Sequence, residues 1–211
     1  MVYYFTSNVV SPAAYIYMGK DKVESKDEDL IAHGWPEDIW FHVDNLSSAH
    51  VYLRTTPTQT WETLPTSLLT DCAQLTKANS IDGNKKDNIT IIYTPWTNLK
   101  KSGDMATGQV GFHDAKLVKK VFVAKRENAV VNRLNKTRVE KWPDLRAERE
   151  ERDREERKKE RIAAQERKRE DAELAEERAR LKWQKEHMYD DVHTEDQMRS
   201  NEDGFDDDDF M

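Results

Sequence analysis

Between Trp35 and Arg54 the chain reads WPEDIWFHVDNLSSAHVYLR. Its middle, Ile39-Trp40-Phe41-His42-Val43, is β-branched and aromatic, a composition that suits a strand. Ala49 to Arg54 alternates in the same way, and Asp44-Asn45-Leu46-Ser47-Ser48 between them is turn chemistry. The expectation is a β-hairpin, or a pair of adjacent strands, with one buried face. Side chains alternate across a strand, so Ile39, Phe41 and Val43 face one way and Trp40 and His42 the other. A face that carries Trp and His needs either a covering layer or a planar polar ligand. The Trp40/His42/His50 side therefore reads either as core or as a binding groove.

The placement of charge divides the rest of the chain. Residues 1–125 carry 13 Lys and Arg against 14 Asp and Glu, residues 126–185 carry 20 against 16, and residues 186–211 carry 1 against 11. The net charge of −7 thus arises in the last stretch. A neutral domain is expected over 1–125, a charged helical, coiled-coil-like extension over 126–186 and a disordered acidic tail over 187–211. Cys72 is the single cysteine, which excludes a disulfide within the chain and suits a reducing compartment. The first twenty residues lack the layout of a secretory signal, and no window approaches the ~20 apolar residues of a membrane span. A cytoplasmic protein, with the nucleus as a further location, is the expectation.

Within the domain, Val2–Ser7 and Ala14–Met18 read as strands separated by Ser11-Pro12. A turn at 19–22 leads to a short acidic helix over 25–32, with Ser25 and Glu28 as a capping box. Gly34 and Pro36 end it. After the central strand pair, 55–63 is a polar loop. Residues 64–80 form a helix whose stripe is Leu64, Leu68, Leu69, Cys72, Leu75 and Thr76. Ile89–Thr94 is the clearest strand, 95–101 is read as an exposed loop, and Gly108–Phe112 and Leu117–Val123 as two short strands. The fold class is α+β: a small mixed sheet of about six strands with packed helices. Val130, Val131, Leu134 and Val139 make a helical stripe able to dock on the domain. Pro143 suits the start of a new helix. From Arg146 that helix is almost wholly charged, with no apolar heptad seam, and is supported by pairs at four-residue spacing, each worth ~0.2–0.5 kcal/mol.

Enzyme chemistry finds little support in these residues. His42 and His50 facing each other across a hairpin are the one arrangement worth naming as a metal pair, and no third ligand is evident. Cys72 lies on a buried stripe, where a free cysteine behaves as a small hydrophobe. Ser47 and Ser48 read as turn formers. Asp38 and His42 share a strand face and form a candidate Asp–His pair. No glycine-rich phosphate loop is present. No catalytic residue, metal or cofactor is expected. Nucleic-acid binding has more to rest on. Lys20, Arg54, Lys100 and Lys101 fall in loops or at strand ends, and Trp40, Trp96, His42 and His50 supply flat rings that can stack on bases. Trp96 beside Lys100 and Lys101 is the tightest such grouping. Against this, the domain is nearly neutral, and the tryptophans serve equally well as core.

Asp38-Ile39-Trp40-Phe41-His42 followed by Ser48-Ala49-His50-Val51 resembles the D-x-W-F-H … S-x-H-V core of the NFACT-R domain family. Ala73–Ser80, Ile89–Thr94 with Leu99-Lys100-Lys101, and Gly108-Gln109-Val110 resemble later motifs of that family in the same order, over roughly residues 1–125. Ser47-Ser48-Ala49-His50 stands where many members have P-G-S-H. The resemblance implies an RNA-binding domain without enzymatic activity, from a family whose larger members work on the large ribosomal subunit and tRNA. It picks out Asp38, Trp40, Phe41, His42, His50, Lys100 and Lys101.

The resulting expectation is a non-enzymatic, ribosome-associated RNA-binding protein. Its nucleic-acid site comprises Lys20, Trp40, His42, His50, Arg54, Trp96, Lys100 and Lys101, and its partners are rRNA or tRNA and the large ribosomal subunit. Two alternatives remain: a protein-interaction adaptor acting through the 146–185 helix, and a DNA-binding protein.

Overall fold

A computed structural model describes residues 1–20, 26–55, 60–106 and 108–188. Ser25 of the expected capping box, part of the 55–63 loop and the acidic tail from 189 onward lie outside the described residues. The chain divides into two compact units, 1–153 and 154–211.

In the first unit the α+β class holds. Seven strands form one sheet: β1 (Val2–Ser7), β2 (Ala14–Gly19), β3 (Asp38–Val43), β4 (Val51–Arg54), β5 (Ile89–Pro95), β8 (Lys119–Val123) and β9 (Val139–Lys141). Their order is β8-β5-β3-β4-β2-β1-β9, and every pairing among them is antiparallel rather than mixed. A two-stranded ribbon joins β6 (Leu99–Lys100) to β7 (Gly111–Phe112). The helices are α1 (Lys26–His33), α2 (Thr66–Ala78), α3 (Asn128–Lys136) and α4 (Leu145–Glu186).

Each face of the sheet buries its own cluster. Phe5, Ile16, Ile39, Phe41, Leu53 and Ile91 share one face with Leu68, Cys72 and Leu75 of α2 and Leu134 of α3. Burying each such side chain is worth about 1.5–3 kcal/mol. Asp71 ties this layer together, since it accepts from the Ser7 hydroxyl at 2.6 Å and from Arg133 at 2.6 Å. Gln74 bonds the main-chain oxygen of Lys125 at 3.0 Å and the nitrogen of Glu127 at 2.9 Å, which fixes the entry to α3. On the opposite face Val2, Tyr17, Trp40 and Tyr52 pack with Leu30 of α1 and Leu145 of α4, flanked by Trp96, Leu99, Val110 and Phe112.

Three elements differ from the sequence reading. Val139 does not continue the helical stripe but begins β9, which pairs with β1. The Thr137 hydroxyl caps the switch, donating to Leu134 O at 2.8 Å and accepting from Thr6 N at 3.0 Å. Pairing of β9 satisfies the main-chain groups that β1 would otherwise leave open at a sheet edge, a gain that helical periodicity cannot register. Residues 96–98 form a 3-10 turn leading into β6 rather than an exposed loop. The strand expected over 108–112 is confined to Gly111–Phe112.

In the second unit, α4 runs on without a break to Glu186, and its described side chains from 154 onward are exposed. Arg169–Glu173 and Lys182–Glu186 are pairs at four-residue spacing, and surface pairs of this kind give only modest support. Among the described residues no helix is long and apolar enough to cross a membrane.

Candidate nucleic-acid interface

The hairpin places its two histidines together. β3 and β4 pair from Asp38↔Arg54 to Phe41↔Val51, so His42 and His50 stand at the same end of the sheet, ring centroids 5.2 Å apart. Asn45 turns the chain in the left-handed region at φ 59°, which Asn tolerates better than most residues. Ser48 closes the turn, accepting from Val43 N at 3.1 Å. The Ser80 hydroxyl, just beyond the end of α2, pins it by donating to Ser47 O at 2.6 Å. Both serines of the turn are thus held in the fold, in keeping with their reading as turn formers.

Trp40 lies beneath, 1 % exposed. His42 is parallel to it within 2° at a centroid distance of 5.4 Å, and His50 and Phe112 meet it edge-on at 5.3 and 5.7 Å. These rings line a groove of about 330 Å³, open to solvent, whose far wall is Gly108, Gln109 and Val110. His42 Nδ1 lies 2.8 Å from Val43 O. A carbonyl can only accept, so the proton is on Nδ1 and Nε2 is the acceptor in the neutral ring. The indole N–H of Trp40 has no acceptor among the described residues, and leaving a buried donor unpaired costs about 1–3 kcal/mol. The choice between core and groove thus resolves by residue: Trp40 and His50 (3 % exposed) form the floor, and half-buried His42 forms the wall.

The remaining candidates divide between the two ends of the sheet. Lys20 follows β2 and is exposed at the His42 end. Arg54 and Trp96 sit at the opposite end. Arg54 stacks on Trp35 with its guanidinium carbon 3.5 Å from the ring centroid and pairs with Asp38 at 3.0 Å. Asp38 also accepts from Tyr17 and, at 2.7 Å, from Trp35 N. Asp38 is therefore occupied away from His42, and the expected Asp–His pair does not form. Burial, followed by the charge of Asp38, holds the Tyr17 hydroxyl well above its usual range. Trp96 donates to Ile31 O at 2.9 Å and packs against Gly34 so closely that an added Cβ would lie 2.2 Å from its indole nitrogen. Arg149 and Arg152 of α4 bond Gly34 O and Glu37 and lie over the Trp96 and Trp35 rings. This end is a packed structural joint in which Trp35, Arg54 and Trp96 are half-buried. Trp96 and Lys101 both reach α1, the indole through Ile31 O and the ammonium through Glu28 at 3.5 Å.

Lys100 and Lys101 differ from each other. Leu99 of β6 packs inward against the Trp40 cluster, so the pleat turns Lys100 to solvent, where it is exposed. Lys101 folds back on its own loop, donating to Ala106 O at 2.8 Å and Gln109 O at 3.2 Å. It thereby holds the Gly108–Val110 wall of the groove in place. Among the described residues no three His, Cys, Asp or Glu side chains cluster as metal ligands. Burial pushes the Cys72 thiol well up, away from the nucleophilic thiolate.

Gln109 and Val110 of the groove wall enter the sequence reading only as part of a family motif, and Phe112 and the exposed Phe122 are not singled out there as site residues. For Phe122 a signal existed. In Lys119-Lys120-Val121-Phe122-Val123 the two buried-type valines share one face, which leaves Phe122 with Lys120 on the other.

The chain matches the family model described as NFACT protein RNA binding domain over residues 1–114. It is 52% identical to "Coiled-coil domain-containing protein 25" of Bos taurus over 100% of both chains. It is 63% identical to the protein of that name in Danio rerio over 157 residues, 74% of this chain and 75% of that one. It is 41% identical to "Protein JLP2" of Saccharomyces cerevisiae over 70% of this chain and 72% of that one. Among solved structures, the C-terminal part of the fibronectin/fibrinogen-binding protein of Streptococcus suis is similar with a TM-score of 0.50 at 16% identity. That similarity covers 64% of this chain and 48% of the other, and concerns the fold alone. With the hairpin motif, the sheet and the full-length relatives in agreement, the chain belongs to the NFACT RNA-binding-domain family, in the company of the proteins named coiled-coil domain-containing protein 25.

Proposed function

We propose that the chain is a non-enzymatic RNA-binding protein that works with ribosomes in the cytoplasm, holding rRNA or tRNA at the His42 end of its sheet. The observation that carries this reading is the groove itself. Rings of Trp40, His42, His50 and Phe112 converge on an open cleft of about 330 Å³, with exposed Lys100 on the neighbouring ribbon and exposed Lys20 at the same sheet end. Stacking surface beside cations suits RNA, whose bases are recognised by aromatic stacking and whose phosphates by lysine. The family to which the chain belongs is described by RNA binding. The ribosomal part of the proposal rests on what the family resemblance implies, together with the Arg- and Lys-rich α4, which can carry phosphate contacts.

Sucrose-gradient sedimentation of the tagged protein from lysate tests this, with and without RNase and at low and moderate salt. Migration with large subunits that is lost on raising salt is the expected result. Sedimentation at the top of the gradient in every condition would refute it. A second reading, a protein-binding adaptor, is favoured by Ile162, Leu174, Leu181 and Trp183, all exposed on α4. It predicts that α4 captures protein partners from nuclease-treated lysate.

A further inference from the structure

The covering layer on the Trp40 face is incomplete. It consists of α1, the 96–112 segment and the first turn of α4. Toward β8 the same face is left open among the described residues. There the register sets His42, Ile92 and Lys120 side by side across β3, β5 and β8, with Thr90 and Phe122 paired in the next row. Ile92 and Thr90 are only half-buried, and Phe122 is 65 % exposed on an edge strand. Val121 and Val123, on the opposite face, pack into the core, so the Phe122 ring is turned to the side that carries His42.

We infer that this open corner of the sheet binds an unpaired stretch of two to three RNA nucleotides, one base entering the groove against His42 and another stacking on Phe122. This deepens the proposed RNA-binding function and rests on it. Strand spacing and rise put His42 and Phe122 roughly 12 Å apart, with Ile92 as an apolar floor between them. A sheet face that presents aromatic rings stacks two or three unpaired bases; here β5 runs between the two strands that carry them. A duplex buries its base faces in its own stack and gains nothing from such rings.

The groove also offers groups that read a base edge. Asn45 and Gln109 line it, the Gln109 Oε1 accepting from Ala106 N at 3.3 Å, and the Trp40 N–H in its floor lacks an acceptor among the described residues. Charge complementarity is supplied by Lys120, exposed and beside Ile92, whose ammonium is 2.9 Å from Asp44. Asp44 neutralises part of that charge, so its removal should strengthen phosphate attraction.

The experiment is fluorescence anisotropy on the full chain with labelled octauridylate and octaadenylate RNA, the matching DNA octamers and a 16-base-pair RNA duplex. The RNA octamers should bind more tightly than the duplex. Phe122→Ser should weaken octamer binding about tenfold, the scale of one lost base stack, and Phe122→Tyr should retain it. Asp44→Asn should tighten it. Phe122 is exposed, so these variants keep the fold, which circular dichroism checks. Preference for the duplex, or equal binding by Phe122→Ser and the parent, would overturn the inference. So would tighter binding of the DNA octamers. Co-sedimentation with large subunits without octamer binding would remove this inference and leave the RNA-binding proposal standing. Failure in both assays would remove both.

Discussion

The ammonium of Lys101 donates to the main-chain oxygen of Ala106 at 2.8 Å. That bond makes Lys101 part of the loop that walls the groove, whereas its neighbour Lys100 faces solvent. Two adjacent lysines that look alike in sequence therefore have different consequences when changed. Lys100→Glu should weaken RNA binding and lower the salt slope by about one, with the melting temperature unaltered. Lys101→Met should cost about 1–2 kcal/mol through lost hydrogen bonds and raise amide hydrogen exchange across 102–110. Equal exchange in that loop for parent and variant would show that the bond does not hold the wall.

Gly34 is required where it stands because the Trp96 ring occupies the space of a side chain. A Cβ there would be 2.2 Å from Trp96 Nε1, and the ring cannot move without breaking its bond to Ile31 O. Gly34→Ala is expected to destabilise the fold by about 1–3 kcal/mol, measured as a shift in the denaturant midpoint. A midpoint equal to that of the parent would mean that the joint around Trp96 is loose.

Alkaline stability should carry the mark of Tyr4. Burial, followed by the charge of Glu148, pushes its hydroxyl from 10.0 up to about 12. The folded chain then holds a proton that the unfolded chain releases near pH 10. The associated stability is complete below pH 10 and is lost as pH rises from 10 toward 12. In Tyr4→Phe the decline over that window should be shallower than in the parent, read from urea midpoints at successive pH values. Parallel curves for the two proteins would rule out Tyr4 as a contributor.

The acidic run at the end of the sequence offers a charge competitor for phosphate. Deleting residues 190–211 removes ten acidic side chains and one arginine. RNA binding should tighten several-fold at low salt, and the difference should fade as the Debye length falls to ~3 Å at 1 M salt. Identical affinities at low salt would exclude screening by this segment.

The hairpin at 38–54, the stripe of α2 and the change of character into a long charged helix are legible in the sequence. Each depends on local periodicity: alternation across a strand, a three-and-four spacing on a helix, and an unbroken run of charge. The α+β class and the pairing of His42 with His50 at one sheet end follow from the same source. What tertiary structure decided is which aromatic face stays open. Trp96 and Arg54 look as available as His42 in sequence, yet Ile31, Asp38, Trp35 and Arg149 engage them, at an end held by contacts more than a hundred residues apart in the chain. β9 exists only because β1 presents an edge to pair with, and Lys101 parts from Lys100 only because its loop returns to meet it. Phe122 lay between those cases: alternation alone assigns it a face, and only the packing leaves that face uncovered. Periodicity sets which way a side chain points. Long-range packing determines whether anything is there to meet it.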